Sequence, residues 1–204
     1  WDLERGKTIT TFRNHTGQVW CLQFDEHKAV SGSDDKKLNV WCLHSGKIIA
    51  TLNGHSWGVG CLQFDDEKII SGAADKTIKI WDMATMQCRD TIEGHKSSVR
   101  CLQFDNQRII SGSWDHTIKI WDLHTRKCLN TLQGHTNKLM CLQCDNVKIV
   151  SGAQDKTLRV WDIQTGECLS VLKSHTDPLC DLYFDDTKLV SGSRDKTVKV
   201  WDFS

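Results

Sequence analysis

The sequence has no net charge and no long apolar run. Lys plus Arg and Asp plus Glu each total 26, so no field of one sign marks the chain for nucleic acid or an anionic membrane surface. No stretch approaches the roughly 20 apolar residues that span a bilayer, and no basic segment followed by an apolar one resembles a secretory leader. Neither nucleic acid nor a membrane is therefore expected as a partner, and the chain reads as soluble and intracellular, cytoplasmic or nuclear. An initiator methionine is lacking too, since the sequence opens at Trp1, and an upstream part is expected. At 204 residues and 39% hydrophobic content, there is enough apolar material for a real core.

Ten cysteines would suggest a disulfide framework in a small secreted chain. Most of them recur at one interval, at Cys21, Cys61, Cys101 and Cys141 and again at Cys88, Cys128 and Cys168. Equivalent positions of identical structural units make poor disulfide partners, so the thiols are read as reduced, buried and apolar. Cys141 and Cys144 form a C-x-x-C pair of the kind that binds zinc or exchanges thiols. Cys144, however, stands where the other units carry Phe24, Phe64, Phe104 and Phe184, and residues three apart on a strand point to opposite faces. No metal and no cofactor is expected.

What the sequence does contain is a period of 40 residues without one insertion or deletion. Trp1, Trp41, Trp81, Trp121, Trp161 and Trp201 mark it, together with Ser-Gly pairs at 31-32, 71-72, 111-112, 151-152 and 191-192. The repeat units are roughly 14-53, 54-93, 94-133, 134-173 and 174-204. Within each, β-branched residues alternate with polar ones and turn residues separate the runs. In the third unit this predicts strands at Val99–Phe104, Arg108–Ser113, Thr117–Trp121 and Cys128–Leu132. Four short antiparallel strands make a blade, which cannot bury both faces alone, so successive blades must stack around an axis. The fold class expected is all-β, a β-propeller of four-stranded antiparallel blades in a single domain over 1-204.

Gly54-His55, Gly94-His95 and Gly134-His135, followed by Trp-Asp at 81-82, 121-122 and 161-162, resemble the G-H to W-D signature of the WD-repeat (WD40) family. The resemblance covers the whole chain. Asn14 and Ser174 replace the Gly before His, and Cys42 replaces the Asp after Trp.

Ser, His and Asp occur together in every unit, which raises a hydrolase triad. Five copies argue against it, because a catalytic site needs one activated nucleophile and a set repeated in each blade calls for an architectural reason. The resemblance implies a hydrogen-bonded tetrad per unit: Asp35, His15, Ser31 and Trp41; Asp75, His55, Ser71 and Trp81; Asp115, His95, Ser111 and Trp121; Asp155, His135, Ser151 and Trp161; Asp195, His175, Ser191 and Trp201. A satisfied network of this kind fixes strands relative to one another. An enzyme is not expected.

The chain enters at the end of a third strand, Trp1-Asp2, and finishes on a third strand at Val198 to Trp201, so the last unit lacks an outer strand. Residues 8-12 are expected to complete it and remove an exposed edge. Two readings stay open, a five-bladed ring and part of a larger propeller; in the family resembled, seven blades are the commonest.

Architecture accounts for the constant columns, so function is sought in those that vary. One precedes the Cys of the first strand: Trp20, Gly60, Arg100, Met140, Cys180. The other precedes the turn Asp: Asp34, Ala74, Trp114, Gln154, Arg194. The resemblance places both where the central channel opens, a face that contacts partners. Arg100-Cys101-Leu102-Gln103-Phe104-Asp105, Ile109-Ile110-Ser111-Gly112-Ser113 and Thr165-Gly166-Glu167-Cys168 are most similar to the propellers of F-box/WD-repeat ubiquitin-ligase substrate receptors. In those receptors, arginines of these columns grip a phosphorylated degradation signal, as the guanidinium fork suits phosphate. The expected partner-binding face is Arg100, Trp114, Arg194, Trp20, Met140, Gln154, Asp34 and Lys138, and the expected partner is a protein or peptide, phosphorylated or not. The alternatives are an adaptor in signalling or organelle division and, more remotely, an enzyme or small-molecule binder. In a competing reading Trp20 and Trp114 merely plug the channel mouth.

Overall fold

A computed structural model describes residues 4 and 6–203; Trp1-Asp2, read above as the end of a third strand, lie outside them. The described residues form nineteen strands and no helix. The first blade comprises β1 (Val19–Phe24), β2 (Lys28–Ser33), β3 (Lys37–Cys42) and β4 (Ile48–Asn53), and the second β5 (Val59–Phe64), β6 (Lys68–Ala73), β7 (Ile78–Asp82) and β8 (Cys88–Ile92). The third holds β9 (Val99–Phe104), β10 (Arg108–Ser113), β11 (Ile118–Asp122) and β12 (Cys128–Leu132). The fourth holds β13 (Leu139–Cys144), β14 (Lys148–Ala153), β15 (Thr157–Asp162) and β16 (Cys168–Lys173), and the fifth only β17 (Leu179–Phe184), β18 (Lys188–Ser193) and β19 (Val198–Asp202). Strands pair antiparallel with their sequence neighbours, giving four sheets of four strands and one of three. β11 starts one residue later than the pattern predicts, and Thr117 ahead of it donates its amide and hydroxyl to the Asp115 carboxylate, at 3.0 and 2.6 Å.

Each blade presents its first strand to the axis, with β1 packed on β5, β5 on β9, β9 on β13 and β13 on β17. The core lies between blades. One cluster joins Ile70, Ile78 and Ile80 of the second blade to Val99, Leu102, Ile109 and Trp121 of the third. The Ser-Gly glycines make this approach possible. A Cβ on Gly72 would stand 2.5 Å from Val99, and one on Gly32 2.7 Å from Val59, so the missing side chain is a socket for the next blade.

A second joint between blades is made by an amide side chain, a residue type that points to no chemistry in the sequence. Gln23 accepts from the Phe64 amide at 2.6 Å and donates to its carbonyl at 3.1 Å, and Gln143 does the same to Phe184, at 2.7 and 2.9 Å. Gln63 and Gln103 accept from the amides of Phe104 and Cys144. The constant Gln of the first strand clamps each blade to the next. Tyr183 stands in its place in the fifth blade.

Residues 8-12 carry no strand and lie apart from the three-stranded fifth sheet. Phe12 instead packs on Trp41 of the first blade, ring centroids 5.0 Å apart. Its column explains why: 40 residues on, Leu52 belongs to the cluster holding Trp81 of the following blade.

Candidate functional site

In each described unit the polar column closes into one chain. In the third blade Trp121 Nε1 donates to Ser111 Oγ at 2.8 Å, Ser111 lies 2.8 Å from His95 Nε2, and His95 Nδ1 lies 2.9 Å from Asp115 Oδ2. An indole can only donate and a carboxylate can only accept, so protons run from Trp to Ser, Ser to His and His to Asp. The other four sets repeat this within 0.2 Å, from His15, Asp35, Ser31 and Trp41 through His175, Asp195, Ser191 and Trp201. Burial pushes the Asp115 carboxyl up, but the hydrogen bonds from His95, Thr117 and the Lys96 amide outweigh it and hold the group well below the usual carboxylate range. Ser31, Ser71, Ser111, Ser151 and Ser191 are buried at 5% exposure or less, which a substrate cannot reach.

The two variable columns have a structural cause that the sequence does not announce. Trp20, Gly60, Arg100, Met140 and Cys180 are each the extra residue of a β-bulge, skipped where the pairing passes from Val19 to Cys21, Val59 to Cys61, Val99 to Cys101, Leu139 to Cys141 and Leu179 to Asp181. A bulge frees its side chain from the ladder and re-aims it. The turn column is tied to the same rim: the amides of Asp34, Ala74, Trp114, Gln154 and Arg194 donate to the carbonyls of Gln18, Gly58, Ser98, Lys138 and Pro178, two residues before each bulge.

The two columns thereby share one cavity. About 510 Å³ in volume, it is lined by Trp20, Asp34, Ala74, Arg100, Trp114, Met140, Gln154 and Arg194, with Gly58 and Gly60 giving it depth. Lys138 stands at its edge, with Nζ 4.3 Å from the centre of the Trp114 ring. Arg100 donates from Nη1 to the Gly60 carbonyl at 2.9 Å, its guanidinium 5.8 Å from the Trp20 ring centre, a cation–π distance that leaves further N–H groups to bond a ligand. Trp20 is 49% exposed, and the tryptophans line the cavity without filling it. Trp114 Nε1 is buried without a hydrogen-bond partner.

The thiols divide by column: Cys88, Cys128 and Cys168, expected to be buried, are exposed, because each opens an outer strand, and only the first-strand column behaves as an apolar group of the core. Cys61, Cys101 and Cys141 are buried, and burial pushes the Cys101 thiol up to about 12. Cys144 reaches about 12 by the same burial, packed beside Leu142. Among the described residues no three His, Cys, Asp or Glu are placed to hold a metal ion.

The profile of the WD domain, G-beta repeat family matches residues 6–42, 46–82, 86–122, 126–162 and 166–202. The chain belongs to the WD40 family. WD40 propellers generally act as non-enzymatic scaffolds for protein interaction. The chain is similar to the crystal structure of the computationally designed Ika8 protein, 38% identical with a TM-score of 0.90 over 100% of this chain and 64% of that one. It is also similar to Mitochondrial division protein 1 of Mycosarcoma maydis, 34% identical over 41 residues, which is 20% of this chain and 5% of that protein. The WD40 repeats here thus span less than two thirds of either.

Proposed function

We propose that this chain is a non-catalytic scaffold whose channel-mouth cavity binds a peptide segment of a partner protein, one that pairs an apolar anchor with an acidic or phosphorylated group. The observation that carries this reading is the convergence of both variable columns on one cavity. Trp20, Trp114 and Met140 supply apolar and aromatic area, and Arg100, Arg194 and Lys138 supply positive charge beside it. Trp and Arg are the types that dominate binding hot spots.

The finer reading is a substrate receptor of a ubiquitin ligase, supported by the resemblance of the three runs quoted above and by Arg100 and Arg194 in the columns that grip phosphate there. A second reading, an adaptor in organelle division, is supported by the 41-residue likeness to Mitochondrial division protein 1.

The test is capture from a peptide library displayed with and without phosphate on Ser and Thr. The triple variant Arg100→Ala, Trp114→Ala, Arg194→Ala is expected to lose the captured peptides with a nearly unchanged melting temperature, while Leu169→Ala on an outer strand keeps them. Equal capture by the triple variant overturns the assignment of the face. Phosphatase treatment of the captured set then decides whether phosphate is required.

A further inference from the structure

The cavity at the channel mouth is divided by charge. Arg100, Lys138 and Arg194 belong to the third, fourth and fifth blades, and Asp34 belongs to the first. Between them the second blade contributes Gly58, Gly60 and Ala74, no side chain larger than a methyl, and so leaves an open bay beside Asp34. Asp34 uses part of that space. Its Oδ1 lies 2.6 Å from where a Cβ on Gly58 would stand, which lays the carboxylate against the backbone of the second blade.

The joint between the third and fourth blades shows what is lacking there. Lys138 is the equivalent of Gly58, and its Nζ lies 4.3 Å from the ring centre of Trp114, the equivalent of Asp34. At that joint the turn residue meets a cation, whereas between the first and second blades an anion meets bare backbone. Among the described residues no hydrogen bond or ion pair reaches the Asp34 carboxylate. The cations of the cavity are engaged elsewhere, Arg100 on the Gly60 carbonyl at 2.9 Å and Lys138 on Trp114. Opposite charges held apart across one concave site complement a ligand that carries both. Trp57, beside Gly58 in the chain and 65% exposed, supplies a ring of the kind that takes a cation and its methylene stem.

We propose that the bound segment carries a basic side chain, Lys or Arg, which pairs with Asp34 while its acidic or phosphorylated group meets Arg100 and Arg194. This inference rests on the reading of the cavity as a peptide site and adds a requirement to it. The same carboxylate works against the wrong ligand: a segment with a second acidic or phosphorylated residue in place of the basic one is repelled at Asp34.

The test uses the 204-residue chain and a peptide library with acetylated N-termini, so that every cation offered is a side chain. Lys or Arg is expected to be enriched at a position removed from the acidic or phosphorylated one. For a selected peptide, fluorescence anisotropy is expected to show affinity falling about threefold when its basic residue becomes Gln, and about threefold for Asp34→Asn with the unaltered peptide. The two changes together are expected to cost no more than either alone, as for groups that contact each other. Asp34→Lys is expected to reverse the preference, binding the peptide better with Glu at that position than with Lys. Peptides lost by the triple variant Arg100→Ala, Trp114→Ala, Arg194→Ala, but showing no basic enrichment or losses that simply add, overturn this inference and leave the cavity reading in place. No capture, or capture unaffected by the triple variant, overturns both.

Discussion

Asp115→Ala removes the terminal acceptor of one tetrad. Asp115 Oδ2 accepts from His95 Nδ1 at 2.9 Å and from the Lys96 amide at 2.7 Å, and Oδ1 accepts from the Thr117 amide and hydroxyl at 3.0 and 2.6 Å. His95 is 6% exposed, so its ring N–H is left inside without a partner, a penalty of about 1–3 kcal/mol. The other three donors lie near the surface, where water takes the place of the carboxylate, and their loss adds on the order of 0.5 kcal/mol each. The sum is about 3 kcal/mol, against the 5–15 kcal/mol of a typical domain. Equilibrium urea unfolding followed by tryptophan fluorescence measures it, with Asp34→Ala as the control, since Asp34 is an exposed turn neighbour with no tetrad role. Asp115→Asn, which keeps one acceptor oxygen, is expected to fall between the two. An Asp115→Ala variant within 0.5 kcal/mol of the parent would refute the view that the tetrad is structural.

Acid should act on the same groups together. The carboxyls of Asp75, Asp115, Asp155 and Asp195 are held below their ordinary range, burial raising them and hydrogen bonds to His and Thr lowering them further. A folded-state pKa below the unfolded value of about 3.9 contributes stability that is complete above that pH and lost as pH falls through the folded values. The urea midpoint is therefore expected to be level from pH 7 to about 5 and to drop steeply below 4; a midpoint unchanged between pH 6 and 3 would contradict this. Thiol labelling should sort the cysteines by position. Cys42, lowered by hydrogen bonds from the Ser45 side chain and amide, and the exposed Cys88, Cys128, Cys168 and Cys180 are expected to alkylate first at neutral pH. Cys61, Cys101 and Cys141 should react only on unfolding, and mass spectrometry of partly labelled protein checks the order.

Most of the architecture was legible because repetition exposes it. A column that holds Trp, Ser, His or Asp five times at one interval leaves few structural roles, and alternation within the third unit located its strands to within a residue. What was not legible has physical causes. A β-bulge at Trp20 or Arg100 arises from hydrogen-bond register and leaves no mark in residue type. The Gln clamp did leave one, in the constant Gln23, Gln63, Gln103 and Gln143, but an amide suggests no chemistry until the facing backbone is seen. Placement of residues 8-12 depended on which blade Phe12 packs against, and both candidate blades present the same kind of edge in sequence. The convergence of the two variable columns likewise needed the amide of each turn residue tied back to the carbonyl two residues before each bulge.

The central claim is that the constant columns build the propeller and the variable columns at the channel mouth bind. A photo-activated cross-linker tests it most directly when placed singly at Ala74, which lines the cavity and is exposed there, and at Leu169, 60% exposed on an outer strand. With a library-selected peptide bound and irradiated, cross-links are predicted from position 74 and none from 169; cross-links from 169 alone would contradict the claim.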